Sequence, residues 1–81
     1  MIIAPSEVGY LFVNLFMTLY EFNMLDEMEQ AEAVRSGTHI GERKYEEFDI
    51  LLYQIDSFYV EVFYYRQYNV IRRLRSFSST K

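Results

Sequence analysis

Apolar residues recur in two different rhythms along this chain. In the first quarter the rhythm is helical: Val8, Leu11, Phe12, Leu15, Phe16 and Leu19 follow an i, i+3, i+4, i+7 template. Tyr10, Val13, Met17, Tyr20 and Phe22 widen that stripe almost all the way round, so a helix here is buried on more than one side. Pro5, Ser6 and Glu7 offer a first-turn proline, an N-cap and an acid that complements the helix dipole, which places a long apolar helix at about 6–24. Asp26 and Glu29 then form a D-x-x-E capping pattern behind a staple residue, Leu25, and open a shorter helix over about 27–36. Its Glu, Gln and Ala residues are good helix formers, Met28, Ala31 and Val34 form its inward flank, and Gly37 suits its stop.

Beyond Gly37 the pattern is extended, with strands expected at about 38–43, 48–55, 58–65 and 70–77. Asp56-Ser57 reads as a two-residue turn, and Asn69 tolerates the positive φ that closes the next one. The predicted fold is α+β: a long apolar N-terminal helix, a short second helix, and a three- or four-stranded antiparallel meander in one domain spanning residues 1–81. A half-solvated sheet alternates apolar with polar residues, and this one mostly does not: Ile50 to Ile55 and Phe58 to Tyr65 are apolar on both faces. The two-residue turn sets Ile55, Tyr53 and Leu51 against Phe58, Val60 and Val62 on one face, and Gln54, Leu52 and Ile50 against Tyr59, Glu61 and Phe63 on the other. In the second hairpin, pairing opposite charges favours Glu61 against Arg73 and Tyr59 against Arg75, with Val60 against Leu74 and Tyr64 against Val70. The first face, which ends in Tyr64, Val70 and Leu74, suits a core under the first helix. The second has an apolar centre ringed by Tyr, Arg and Glu, which is the anatomy of an interface; its candidate residues are Ile50, Leu52, Tyr59, Phe63, Tyr65 and Ile71.

Composition strengthens the case for a partner. A chain of 81 residues buries only about 60–65% of its unfolded surface, so it gains from association. Eight Tyr and seven Phe supply side chains that serve both water and a partner. A homodimer is the simplest expectation, and another protein the next. The net charge of −4 is unevenly spread: residues 1–65 hold all 12 acids and three bases, whereas residues 66–81 hold five bases and no acid. The basic end can attract nucleic acid or pair with the acidic part of the same fold, and the acidic remainder makes nucleic acid the lesser expectation. With no cysteine, disulfides, thiolate catalysis and Cys-based metal sites are excluded. The first 20 residues lack the positive n-region and cleavage site of a signal peptide, and the apolar run from Val8 to Tyr20 falls short of the roughly 20 residues that span a bilayer. A cytoplasmic protein with no membrane partner is expected.

Candidate chemistry is sparse. Glu61, mid-strand beside Tyr59 and Tyr65, has the makings of a general base with a raised pKa, or of a cross-strand partner for Arg73. His39 and Glu42 supply two metal ligands without the third that a zinc site needs, so no metal or cofactor is expected. Gly37 and Gly41 are not a phosphate loop, since no Gly-Lys-Ser/Thr and no helix follow. Arg72, Arg73 and Arg75 are possible phosphate contacts, but strict strand alternation sends Arg72 to the opposite face from the other two.

The segment Leu52-Tyr53-Gln54-Ile55-Asp56-Ser57-Phe58-Tyr59-Val60-Glu61-Val62, followed by Ile71-Arg72-Arg73-Leu74-Arg75-Ser76-Phe77, resembles small uncharacterised bacterial proteins with an LYxxxxFYVEV…IRxFxS hairpin pattern. Gly37 to Arg43 is similar to the segment that precedes that pattern. The resemblance covers about residues 30–79 and implies the hairpin, but no activity or ligand. The function expected from sequence is a non-enzymatic, homodimeric protein-interaction module. The alternatives are a nucleic-acid-associated regulator using the last strand, and a small-ligand binder or enzyme around Glu61.

Overall fold

A computed structural model describes residues 17–78. Within them the order is two helices, α1 (Leu19–Met24) and α2 (Glu27–Arg35), then four strands, β1 (Thr38–Tyr45), β2 (Phe48–Ile55), β3 (Phe58–Tyr65) and β4 (Val70–Phe77). The strands form one antiparallel meander in sequence order.

The long N-terminal helix expected at 6–24 is not what the described residues contain. Thr18 is extended (φ −92°, ψ 162°), so a continuous helix cannot pass through it. Instead it caps the six-residue α1: its side chain accepts from the Glu21 amide while Glu21 reaches back to the Thr18 amide. The portion of the expected helix before Met17 lies outside the described residues. α2 begins as predicted, with Asp26 and Glu29 closing the second capping box. Met28 faces out rather than in, at 82% exposure, and the buried flank is Ala33 and Val34.

Both helices cover one face of the sheet. Met17, Phe22, Ala33 and Val34 pack on Ile55, Phe58, Val60 and Val62, with the Phe22 and Phe58 rings 5.4 Å apart. This is the face expected to form the core, and its covering residues Met17 and Phe22 come from the stretch expected to cover it. Polar links fix the layers: the Gln30 side chain donates to the Phe22 carbonyl, the Ser76 hydroxyl to Asn23, and the Met17 amide to the Asp56 carboxylate.

The β2–β3 register is the predicted one, from Ile55 opposite Phe58 to Ile50 opposite Phe63. The β3–β4 register is not. Tyr65 pairs with Val70 across the four-residue loop 66–69, which ends in Asn69 at φ 55°. A bulge at Arg72 then sets Phe63 opposite Arg73 and Glu61 opposite Arg75. Past the bulge the shift from expectation is two residues, which preserves faces, so Arg73, Leu74 and Arg75 stay where alternation put them. Before the bulge it is one residue, which reverses them: Val70 joins the second face and Ile71 the helix side.

Gly37, expected as a left-handed helix stop, has no positive φ; Ser36 caps α2 in a right-handed conformation. Glycine is needed there for room, because a Cβ would sit 2.9 Å from the Gln54 carbonyl oxygen and 3.0 Å from Ile55 Cγ1. At Gly41, beside the β1 irregularity, a Cβ meets nothing within 4 Å. Gly37→Ala should therefore cost about 1–3 kcal/mol by forcing backbone apart, and Gly41→Ala should stay within about 0.5 kcal/mol of wild type. Urea unfolding of the two variants checks the contrast.

Candidate functional site: the open face of the sheet

No described helix lies on the second sheet face. Alternation along the strands puts Phe48, Ile50, Leu52, Tyr59, Phe63 and Tyr65 there, with Arg43 on β1 and Arg73, Arg75 and Phe77 on β4. Five of the six expected interface residues thus share the face, and Ile71 does not. The bulge places Ile71 in a groove of about 410 Å³ between β4 and α2, with Met28, Ala31 and Leu74, and Arg72 and Arg73 also line it beside Glu27.

Glu61 anchors the face. It is only 7% exposed, yet it lies on the side that the helices leave open. Arg43 Nη1 donates to one carboxylate oxygen at 2.8 Å and Arg75 Nε to the other at 3.0 Å. Arg75 reaches from the neighbouring strand. Arg43 reaches from β1, so its side chain must cross β2 near Ile50, its own cross-strand partner. That crossing explains why Ile50 is 2% exposed without a helix above it: the arginine stem lies over the apolar centre while the charged head stays half-exposed. Arg73, expected to pair with Glu61, instead lies over the Phe63 ring at 5.1 Å.

Burial is the largest single influence on the Glu61 carboxyl and pushes its pKa up. The hydrogen bonds from Arg43 and Arg75 and their charges together outweigh it, and the pKa lies below the ordinary carboxylate value. A general base held in reserve has the opposite character: a raised pKa and lone pairs open to a substrate. Glu61 is a structural anion closed from both sides.

The aromatic residues of the face form two clusters. Phe48 meets Phe63 and Tyr65 at ring-centroid distances of 6.2 and 5.4 Å, and Tyr59 stacks on Phe77 at 5.7 Å. Guanidinium groups sit on three of these rings: Arg73 on Phe63, Arg72 on Tyr65 at 5.1 Å, and Arg75 on Phe77 at 4.7 Å. Strict alternation would have sent Arg72 to the helix side; the bulge brings its head round to the open face. Arg43 and Phe77 belong to the site and were not foreseen. Arg43 closed the expected first strand at an alternation-matched position, which was the available clue.

No family model, curated protein or solved structure matches this chain. Chemistry alone therefore describes the surface, and its charge is distinctive. Among the described residues the open face carries four arginines against one glutamate, and that glutamate is already paired. The helical layer is the reverse: between Thr18 and Ser36 lie Glu21, Asp26, Glu27, Glu29 and Glu32, with Arg35 as the one base. Among the described residues, the sheet face away from the helices is thus basic and aromatic.

The other candidates are accounted for locally. His39 approaches Glu42 at 3.5 Å and lies against the Tyr53 ring on the edge strand. Among the described residues no three His, Asp or Glu side chains gather in an arrangement suited to a metal. Arg66 is a latch, with one nitrogen donating to the Phe48 carbonyl at 2.8 Å and to Asp49 at 2.7 Å, and the other to the Glu46 carbonyl. Hydrogen bonds from Lys44 and then Arg66 hold the Asp49 carboxyl below its ordinary pKa. No described helix is long and apolar enough to cross a membrane.

Proposed function

We propose that this protein is a non-enzymatic binding module whose working surface is the open face of the sheet, and that its partner is an anionic macromolecule. The supporting observation is the concentration of Arg43, Arg72, Arg73 and Arg75 on one aromatic face whose single carboxylate is consumed internally. A second copy docking through the same face about a two-fold axis perpendicular to the strands would set one arginine row against its equivalent, and like-charge juxtaposition opposes that arrangement. An acidic surface complements the face without that penalty.

Retention on a heparin column at neutral pH and low salt tests this. Despite a net charge of −4, the wild type should be retained, and Arg72→Glu/Arg73→Glu should flow through. Arg35→Glu, on the helical side, should elute with wild type. Flow-through of the wild type, or equal sensitivity to Arg35→Glu, would contradict the assignment.

A further inference from the structure

We infer that the open face takes single-stranded nucleic acid, with bases lying on its rings and phosphates on its arginines; this rests on the binding-module reading above. Three observations carry it.

The first is size. Four strands about 4.8 Å apart and eight residues long present a face of roughly 19 by 26 Å, or about 500 Å². It is ample for a few nucleotides, and open four-stranded sheets with exposed aromatics are used elsewhere to stack two or three splayed bases.

The second is the arrangement of rings and cations. Phe63 and Tyr65 are alternate residues of the central strand β3, and each carries an arginine head from β4. A base can stack on a ring or on a guanidinium plane, so a ring with its own arginine offers a π-surface and a phosphate donor in one place.

The third is availability. Arg43 and Arg75 are held by Glu61, but among the described residues neither Arg72 nor Arg73 has a carboxylate partner. The bulge is what brings both heads to the same side. Without it one arginine would be lost to the helical layer, where five acids repel phosphate. Among the described residues the face also lacks a protruding element to enter a duplex groove, which favours a single strand.

Fluorescence anisotropy with a labelled ten-nucleotide oligouridylate, its oligothymidylate counterpart, a ten-base-pair duplex and a decaglutamate peptide tests the inference. The single strands should bind more tightly than the duplex and the peptide. The slope of log affinity against log salt should be about −1.4 to −2.8, the value for two to four phosphates neutralised on a single strand. Arg72→Ala/Arg73→Ala changes two exposed edge-strand residues; it should remove most of the binding and flatten that slope. Tyr65→Leu keeps apolar bulk and removes the ring; it should weaken binding about fivefold or more with the slope unchanged. Circular dichroism melts confirm that both variants fold. Equal or tighter binding of decaglutamate would overturn the nucleic-acid assignment, and equal or tighter binding of duplex the single-strand assignment; either would leave the anionic binding face standing. Oligonucleotide binding that ignores both variants would overturn the face as well.

Discussion

Replacing both arginines that hold Glu61, in Arg43→Met/Arg75→Met, should destabilise the protein by on the order of 3 kcal/mol at pH 7. Methionine keeps an apolar stem over Ile50 and the carboxylate, so Glu61 stays covered but loses both charged donors. A buried carboxylate stripped of its partners typically costs 3–5 kcal/mol, and the half-exposed setting of the two guanidinium heads puts this site at the lower end. The pH dependence should also reverse. In the wild type the folded-state pKa of Glu61 lies below its unfolded value. Its contribution is therefore present above the ordinary carboxylate pKa and lost as pH falls through the folded value. In the double variant burial acts alone and raises the folded pKa, so the penalty should shrink as pH falls from 7 to 4. Adding Glu61→Leu should recover most of the loss, because an apolar trio of similar volume needs no compensation. Urea unfolding of the three proteins at pH 7 and pH 4 decides the matter; equal stability of wild type and double variant at pH 7 would show that Glu61 is solvated.

Phe58→Ala should cost about 3–5 kcal/mol, a large fraction of the stability of a domain this small. Phe58 is 1% exposed, opens β3, and packs on Phe22 and on the core under both helices. Its removal leaves a cavity at the junction of α1 with the sheet. By contrast Phe63→Ala, on the open face and half-buried, should cost roughly half as much, about 1.5–2.5 kcal/mol, because the ring is already partly in water. Thermal melts of the pair test which side of the sheet carries the fold and which is free for binding. Comparable losses for both would mean that the open face is as deeply committed to stability as the core.

The sheet was largely legible in the sequence because its turns are built from residues that accept their backbone. Asp56 and Asn69 both adopt positive φ, at 53° and 55°, and the strands they separate lie where expected. The β1–β2 turn uses Glu46 at φ 54°, a residue that gives no such cue, and β1 accordingly runs two residues further than its pattern showed. The β3–β4 register was not recoverable from charge. Arg73 and Arg75 are two apart on one face, so either satisfies a rule that Glu61 should oppose an arginine. A one-residue bulge leaves no mark in composition, yet it decides where Ile71 and Arg72 point. The first helix misled for a different reason. Apolar periodicity continues through Met17 and Thr18 without a break, and it outweighed a Thr18-x-x-Glu21 capping box that was visible in the chain. On the second sheet face, Arg43 reaches across to Glu61 and three rings carry arginine heads, contacts that the apolar pattern along the strands does not reveal.

The most direct test of this account is an NMR titration of the protein with the ten-nucleotide oligouridylate, following aromatic ring protons and arginine Nε–H groups. Upfield shifts at Phe63, Tyr65, Tyr59 and Phe77, with shifts at Arg72 and Arg73 and silence at Phe22 and Phe58, are expected. Shifts confined to the helical layer or to the groove beside Met28, with the open-face rings unmoved, would contradict it.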